Sequence, residues 1–216
     1  MEKIKELVQQ KGFEIVDTGA DFVVSFGGDG TLMNSEEAYP NIPKIVLRES
    51  EICKKCSNLS NEQVLDAIIN KKYKIEELIK LEASAKGKTL IGLNDVIVHN
   101  KDARRGIRYK VTINNNQESK EIIGDGVVIA TPFGSTAYYR SITDSFFEVG
   151  LGLAFNNSTE QADHMVLKDD SKISISITRG PALVYSDNKD DFIELENGDS
   201  VEIKKAENTA RIIVPN

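Results

Sequence analysis

Residues 23–31 read Val-Val-Ser-Phe-Gly-Gly-Asp-Gly-Thr, and this stretch decides how the first part of the chain folds. The apolar run from Val23 to Phe26 predicts a buried strand, and the glycines after it predict a tight turn. Leu32 resumes the apolar pattern at once, so the turn is expected to lead into a helix. We therefore predict a strand, a glycine turn and a helix in succession, as in an α/β unit.

The glycine turn has the composition of a phosphate-binding loop. Gly27, Gly28 and Gly30 lack the Cβ atoms that would keep a phosphate away from the backbone. N–H groups at a turn and at a helix start then attract anions. Asp29 stands between these glycines, and a carboxylate repels phosphate unless it accepts a proton or binds Mg²⁺. The pattern favours phosphoryl transfer, with Asp29 as general base or metal partner. The alternative is a tight Gly-Asp-Gly hairpin turn that Asp29 only stabilises.

The composition is that of a globular protein and argues against several functions. The 216 residues suffice for one domain or two small ones, and 40% apolar with 28% charged residues is an ordinary balance for a soluble protein. A net charge of −7 disfavours general nucleic-acid binding, and the absence of Trp disfavours a base-stacking surface. No apolar stretch has the length of a membrane span, and the N-terminus is charged, unlike a signal peptide. We expect a cytoplasmic protein that binds neither nucleic acid nor membrane.

The two cysteines, Cys53 and Cys56, form a single Cys-x-x-Cys pair. One such pair cannot complete a four-ligand zinc site, and the histidines, His99 and His164, do not stand at zinc-finger spacing. We expect two reduced loop thiols, with a redox pair as the alternative. The sequence identifies no set of metal-ligating residues.

The apolar pattern divides the chain into an α/β part, a β-rich part and a last strand. Up to residue 72 helical and strand patterns alternate, and Ser60-Asn61-Glu62-Gln63 has the form of a capping box at a helix start. In this part we predict helices over 3–10 and 31–38 and strands over 13–16, 22–25 and 45–47. From residue 73 to 205 short alternating segments are separated by turn residues, which predicts a β-rich domain. The strand pattern within 206–216 is expected to return to the first domain.

A second glycine-rich motif spans residues 124–138, Gly-Asp-Gly-Val-Val-Ile-Ala-Thr-Pro-Phe-Gly-Ser-Thr-Ala-Tyr. An apolar strand over 127–130 again ends at a polar glycine turn. We expect Ser135 or Thr136 to cap the helix that follows, and Ser135, Thr136 and Tyr138 to offer hydroxyls to a ribose or a phosphate. The alternative is that these hydroxyls serve only the backbone.

A third polar pair, Asn94-Asp95, opens the apolar strand over 96–98. An amide beside a carboxylate can bind a nucleoside, because the carboxylate accepts hydrogen bonds from ribose hydroxyls or from an exocyclic amine. Isolated residues of these types are more often part of a turn, so a turn is the alternative.

Taken together, these segments resemble the NAD kinase family. Four family motifs occur in the family's order, from about residue 13 to the C-terminus. They are Gly-Gly-Asp-Gly-Thr at 27–31, the pair at 94–95, Asp-Gly followed by Thr-Pro-x-Gly-Ser-Thr-Ala-Tyr at 125–138, and a late aspartate, Asp187. The first motif alone also resembles the loop of diacylglycerol and sphingosine kinases, and the combination is what makes the resemblance specific.

The resemblance implies a two-domain α+β protein, with a reduced Rossmann-like α/β domain and a β-sandwich-like domain. It implies an enzyme that transfers the γ-phosphate of ATP, or a phosphate of polyphosphate, to the 2′-hydroxyl of the adenosine ribose of NAD. Mg²⁺ is expected to bridge the phosphates. A homodimer or homotetramer joined through the β-rich domain is also implied.

The same resemblance implies roles for individual residues. Asp29 is the expected base. Phosphates are expected to be held by Gly27, Gly28, Gly30 and Thr31. The residues expected to bind or line the dinucleotide site are Asn94, Asp95, Thr136, Ala137, Tyr138 and Ser141, with Asp125 and Asp187 supporting its polar side.

Some substrate loops depart from the family pattern. Residues 42–49 stand where the family has a glycine-rich stretch, and Thr143-Asp144-Ser145 stands in place of Gly-Gly-Pro. Two alternatives therefore stay open. One is a non-catalytic dinucleotide-binding protein of this fold, and the other is a kinase of the same superfamily that acts on a lipid or sugar hydroxyl.

Overall fold

The computed structural model describes residues 2–49, 56–116, 118–159 and 164–216. The chain forms two compact units. The first comprises the residues up to Leu78 together with Thr209–Asn216, and the second comprises Ile79–Asn208. The sequence places the first boundary at residue 72, whereas the first unit continues through the next strand because that strand pairs with the C-terminal one.

The first unit is a four-stranded sheet with three helices. Its elements are α1 (Glu2–Gln10), β1 (Val23–Gly27), α2 (Asp29–Ala38), β2 (Lys44–Arg48), α3 (Asn61–Ile69), β3 (Tyr73–Leu78) and the C-terminal strand β16 (Ala210–Pro215). The strand order is β1-β2-β16-β3. The first three strands of this order are parallel, and β3 runs antiparallel to β16.

Side chains of α1, α3 and β2 form the core of the first unit. Ile45 and Leu47 of β2 are buried, as expected for a strand in a parallel sheet that helices cover. They cluster with Ile4 and Val8 of α1 and with Leu65 of α3. The capping box at the start of α3 is confirmed, because the Ser60 side chain accepts the N–H of Gln63 and the Gln63 side chain accepts the N–H of Ser60.

The strand predicted over 13–16 is wrong. These residues have no regular structure, and the side chains of Ile15 and Val16 are exposed. The apolar residues of this segment therefore have no partner strand, while Phe13 packs against the core as an isolated side chain. The helix predicted over 31–38 is α2, which begins at Asp29 rather than at residue 31.

The second unit is a β-sandwich. Its strands are β4 (Leu81–Ala85), β5 (Lys88–Gly92), β6 (Asp95–Asn100), β7 (Ile107–Ile113), β8 (Ile122–Gly124), β9 (Gly126–Ala130), β10 (Leu151–Asn156), β11 (Met165–Leu167), β12 (Ile173–Arg179), β13 (Ala182–Ser186), β14 (Phe192–Leu195) and β15 (Ser200–Lys205). A 3₁₀ turn (Gly134–Thr136) and the short helix α4 (Tyr138–Thr143) lie between β9 and β10. One sheet has the order β11-β10-β9-β6-β13-β14, and the other has the order β5-β4-β15-β12-β7-β8.

Alternating side chains of both sheets form one core in the second unit. Val96 and Val98 of β6 pack in the same cluster as Ile173 and Ile175 of β12, which belongs to the other sheet. The alternation of these strands is what the sequence displays, so the predicted α/β plus β-rich architecture is confirmed. Among the described residues, no helix combines the length and apolarity that crossing a bilayer requires.

Candidate functional site

The first glycine turn of the sequence lies at the carboxyl end of β1, in the first unit. Gly28 is the residue before the first turn of α2, and Asp29 is the first residue of that helix. The carbonyl of Gly28 accepts the N–H groups of Thr31 at 3.0 Å and Leu32 at 3.2 Å, which closes the first helical turn. Because β1 and β2 are parallel, the segment is a strand-turn-helix connection, and the hairpin alternative is excluded.

Two glycines of this turn differ in what a side chain at their position would meet. A Cβ atom on Gly27 would lie 2.2 Å from the Thr31 Oγ1 atom, so a side chain there would displace Thr31. A Cβ atom on Gly30 would meet no atom within 4 Å. Gly30 therefore leaves open space at the start of α2, where backbone N–H groups and the positive end of the helix dipole favour a phosphate.

Arg48, which the sequence did not single out, ends β2 directly beside the glycine turn. Arg48 pairs with Gly27 in the register of the two parallel strands. Asn61, at the start of α3, fixes the Arg48 backbone through hydrogen bonds of 2.8 and 2.9 Å to its N–H and C=O groups. Within the described residues, the Arg48 Nε atom is buried and has no hydrogen-bond partner.

Arg48 is also distinguished from the other cation of this segment. Residues 23–49, all of which the structure describes, contain two cationic side chains, Lys44 and Arg48. The buried Lys44 forms an ion pair with Glu36 and donates to the carbonyl of Tyr39 at 2.7 Å. Lys44 is thus committed to the interior. The signal for Arg48 in the sequence is a cation at the last position of a buried strand.

In the second unit, Asp187 holds the backbone of the Asn94-Asp95 pair. Its Oδ2 atom accepts the N–H of Leu93 at 2.8 Å, and its Oδ1 atom accepts the N–H groups of Asn94 at 2.7 Å and Asp95 at 3.3 Å. Asp187 itself adopts a left-handed backbone conformation, with φ of 50°, just after β13. The late aspartate and the polar pair of the sequence are therefore one structural cluster.

The turn after β9 packs against the same pair. Thr131 donates its N–H to the carbonyl of Asn94 at 2.9 Å and its hydroxyl to the carbonyl of Leu93 at 2.6 Å. A Cβ atom on Gly134 would lie 2.1 Å from the Asn94 carbonyl oxygen, so only glycine fits this contact. Three segments that are distant in the sequence are thereby joined at Asn94.

Burial changes the acidity of the carboxyl groups in this cluster. Asp95 is only 4% exposed. Loss of water contact, with a smaller effect from the charge of Asp187, raises the pKa of Asp95 to about 7. Burial also raises the pKa of Asp187, although the three backbone N–H groups oppose this shift. Near neutral pH the Asp95 carboxyl can therefore donate or accept a hydrogen bond.

The prediction that Ser135 or Thr136 caps a helix is wrong. A 3₁₀ turn holds both residues, and the residue before α4 is Ala137, which makes no side-chain cap. The buried Ser135 hydroxyl lies 2.8 Å from the carbonyl oxygen of Pro132 and 2.9 Å from that of Phe147. Its proton is used within the fold, so for Ser135 the alternative of a hydroxyl that serves the backbone is correct.

Tyr138 and Ser141 line a cavity of about 400 Å³ together with Ile142, Phe155, Asn156, Asn157 and Ser158. The Asn156 amide donates to the Tyr138 hydroxyl at 2.9 Å. Asp125 lies next to this wall, and its carboxylate accepts hydrogen bonds from Asn157 at 2.6 Å and from Asn100 at 3.2 Å. The sequence did not single out these three asparagines.

No metal centre of protein ligands is present in the described part of the chain, where no group of three or more His, Cys, Asp or Glu side chains could hold an ion. Cys56 is disulfide-bonded, which differs from the expected reduced thiols. Cys53 lies outside the described residues. The glycine-turn candidates belong to the first unit and the remaining candidates to the second.

Solved structures share the fold over the whole chain. The chain matches an NAD kinase from Archaeoglobus fulgidus in complex with ATP with a TM-score of 0.82 and 20% identity, over 100% of this chain and 89% of that one. It matches yeast NADH kinase complexed with NADH with a TM-score of 0.80 and 18% identity, over 99% of this chain and 72% of that one. The two-domain fold predicted from the sequence is thereby confirmed.

Sequence relatives carry the same name. An NAD kinase of Saccharolobus solfataricus is 30% identical over 154 residues, which are 67% of this chain and 57% of that protein, so the match spans little more than half of that relative's length. An NAD kinase of Sulfurimonas denitrificans is 31% identical over 216 aligned residues, which cover 93% of this chain and 74% of that protein.

The family model for the ATP-NAD kinase C-terminal domain matches residues 93–214. This match contains the polar pair at 94–95, the glycine-rich motif at 124–138 and Asp187, which are the segments that the structure brings together or places around the cavity. Since the model covers more than half of the chain and the Sulfurimonas protein aligns with nearly all of it, the chain belongs to the NAD kinase family.

Proposed function

We propose that this protein is an NAD kinase, which transfers the γ-phosphate of ATP, or a phosphate of polyphosphate, to the 2′-hydroxyl of the adenosine ribose of NAD. The observation that carries the proposal is the intact glycine turn at the end of β1. In a member of this family, it combines open space at Gly30 with a carboxylate at the first position of α2.

Asp29 is the proposed general base. In the transfer step the ribose 2′-oxygen attacks the γ-phosphorus, the bond from that phosphorus to the leaving oxygen breaks, and Asp29 takes the hydroxyl proton. The phosphates are proposed to lie against the backbone of Gly27, Gly28 and Gly30, with the Thr31 hydroxyl as a further donor. Arg48 is proposed to balance their charge.

The residues of the second unit are proposed to bind NAD. Asn94 and Asp95 are assigned to the ribose and the adenosine end, because Asp187 and Thr131 fix the pair rigidly through its backbone. The residues assigned to the wall of the dinucleotide site are Thr136, Ala137, Tyr138 and Ser141. Asp125 and Asp187 are assigned supporting roles, since their carboxylates are occupied by hydrogen bonds within the protein.

The residues of this chain fit a Mg²⁺ ion that is bound together with the phosphates. Mg²⁺ commonly takes one or two carboxylates together with phosphate oxygens and water, so it does not require a cluster of protein ligands. Asp29, whose carboxylate stands at the phosphate-binding turn, is the residue proposed to contact it. When bound, the ion neutralises phosphate charge.

The second candidate function is a dinucleotide-binding protein without turnover. The departures at 42–49 and 143–145 favour it, because these residues stand where the family has glycine-rich segments.

Formation of NADP by the purified chain tests these functions. The protein is incubated with Mg²⁺ and NAD or NADH, with ATP or polyphosphate as donor, and NADP(H) is quantified by chromatography. Thermal unfolding with each ligand reports binding. ATP- or polyphosphate-dependent NADP(H) supports the proposal. Stabilisation by NAD without product supports the second candidate, and neither product nor stabilisation overturns both.

The chain is further proposed to be cytoplasmic and to form a homodimer or homotetramer through the β-rich unit. In that unit β11 stands at the end of its sheet. Phe146, Val149 and Val166 are exposed apolar side chains at or near it, with Val149 78% exposed. An edge strand bordered by apolar side chains is a surface that a second copy of the chain can cover.

A further inference from the structure

Tyr138 belongs to a chain of hydrogen bonds that starts at a backbone carbonyl. The His99 Nδ1 atom lies 3.1 Å from the carbonyl oxygen of Asn100. The His99 Nε2 atom lies 3.4 Å from the Asn156 Nδ2 atom, and the same Nδ2 atom lies 2.9 Å from the Tyr138 hydroxyl oxygen. The side chains come from β6, β10 and α4.

The carbonyl of Asn100 fixes the direction of every hydrogen bond in this series. A carbonyl oxygen only accepts, so the His99 Nδ1 atom must carry the proton that it donates to Asn100. In the neutral imidazole the Nε2 atom is then an acceptor. Asn156 must therefore turn its NH₂ group, rather than its oxygen, toward His99.

The same constraint reaches the Tyr138 hydroxyl. The NH₂ group of Asn156 has two protons, one for His99 and one for the Tyr138 oxygen. Tyr138 thus accepts from Asn156 and keeps its own O–H as a donor. In the described part of the chain this O–H has no protein acceptor, and Tyr138 lines the cavity of about 400 Å³.

We propose that the Tyr138 hydroxyl is a hydrogen-bond donor to an acceptor oxygen of the dinucleotide, and that Asn156 and His99 are positioning residues that fix this direction. The inference rests on the proposed function, because it names NAD as the molecule in the cavity. The Tyr138 hydroxyl can donate to an uncharged or anionic oxygen, such as that of a ribose, a phosphate or a carboxamide.

The environment keeps the phenol protonated for this role. Burial, and after it the negative charge of Asp125, raises the pKa of the Tyr138 hydroxyl above its ordinary value of 10. The group therefore remains a donor throughout the neutral range.

Four variants test the direction of the hydrogen bond, with NAD binding measured by calorimetry in the absence of ATP. Tyr138→Phe removes the donor and is expected to weaken NAD binding about two- to tenfold. Asn156→Asp keeps the shape but offers only acceptors, so the Tyr138 O–H must turn toward it. This variant is expected to lose at least as much affinity, while Tyr39→Phe, which removes the hydroxyl of an exposed tyrosine, is the matched control.

The double variant separates direction from charge. In the Tyr138→Phe background only the new charge of Asn156→Asp remains, so the substitution is expected to cost at least threefold less affinity there than in the wild type. An equal cost in both backgrounds overturns the directional role, and wild-type affinity of Tyr138→Phe overturns the donor itself. Thermal unfolding confirms that each variant is folded. A wild-type chain that binds no NAD overturns the proposed function and this inference together, whereas NAD binding without NADP formation leaves this test intact.

Discussion

The Oδ1 atom of Asp187 lies 2.7 Å from the backbone nitrogen of Asn94, although 93 positions separate the two residues in the sequence. The same carboxylate also accepts the N–H groups of Leu93 and Asp95. A partly buried carboxylate that accepts three backbone N–H groups fixes the conformation of the turn before β6. The conformation of the proposed adenosine contact therefore depends on Asp187, which directly follows β13.

Asp187→Asn is expected to lower both stability and NAD affinity. An amide offers one acceptor oxygen, and its NH₂ group then faces backbone N–H groups. Loss of hydrogen bonds to a charged group costs about 1.5–3 kcal/mol. Urea unfolding and NAD titration measure the two effects at pH 8, where the carboxyl is more fully ionised. Asp190→Asn, an exposed neighbour, is the control. Unchanged stability of Asp187→Asn would show that these hydrogen bonds are dispensable.

The raised pKa of Asp95 predicts that this residue's contribution to stability falls with increasing pH. The carboxyl titrates near its ordinary value of 3.8 in the unfolded chain and at about 7 in the folded one. Between these values the folded state binds the extra proton, so the contribution of Asp95 to the free energy of unfolding decreases as pH rises from 4 to 7. A shift of this size corresponds to roughly 4 kcal/mol at most.

Asp95→Asn removes this titration. The variant is expected to be more stable than the wild type at pH 8 and to show a flatter dependence of its unfolding free energy on pH. Urea unfolding at pH 5 and pH 8 measures both, with Asp190→Asn again as the control. Parallel pH profiles of Asp95→Asn and the wild type would refute a buried, protonated Asp95.

Asp29→Asn is expected to reduce kcat while NAD binding stays intact. The substitution keeps the shape of the turn but removes the proton acceptor, and loss of a general base costs about 10²–10⁴-fold in rate. Initial rates of NADP formation and an NAD titration separate the two effects. Glu62→Gln is the matched control, because Glu62 is also a carboxylate in the first turn of a helix. Turnover of Asp29→Asn at the wild-type rate would exclude Asp29 as the base.

Arg48→Met is expected to weaken the binding of the phosphoryl donor. A lost hydrogen bond to a charged group costs about 1.5–3 kcal/mol, or roughly 10- to 150-fold in affinity. Calorimetry with inorganic tripolyphosphate measures this without the adenosine. Arg48→Lys is expected to keep part of the affinity, since it preserves the charge but not the planar donors. Arg211→Met is the control, because Arg211 also has a buried Nε atom that finds no partner among the residues the structure describes. Equal losses in Arg48→Met and Arg211→Met would point to general charge alone.

The sequence predicts those features that neighbouring residues determine. The turn at Gly27–Thr31 and the Ser60 capping box are local patterns, and the structure contains both. The exposed segment 13–16 and the 3₁₀ turn at Ser135 depend on what packs against them, so periodicity and capping preference misjudge them. Contacts between distant segments, such as Asp187 with Asn94, leave no local signal.

Self-association through β11 is the last expectation. The loop that carries Phe146 and Val149 lies next to the edge strand, because a Cβ atom on Gly150 would meet the Leu167 carbonyl oxygen at 2.1 Å and the Val166 side chain at 3.1 Å. Burying such side chains contributes about 25 cal/mol per Å² of apolar surface, while a charge placed in a dry interface opposes association. Light scattering at micromolar concentration is expected to give the mass of two or four chains for the wild type and a smaller mass for Val149→Asp. Ile15→Asp adds the same charge to an exposed apolar position of the first unit and is expected to leave the mass unchanged. A wild-type mass of one chain, with and without NAD, would rule out the assembly.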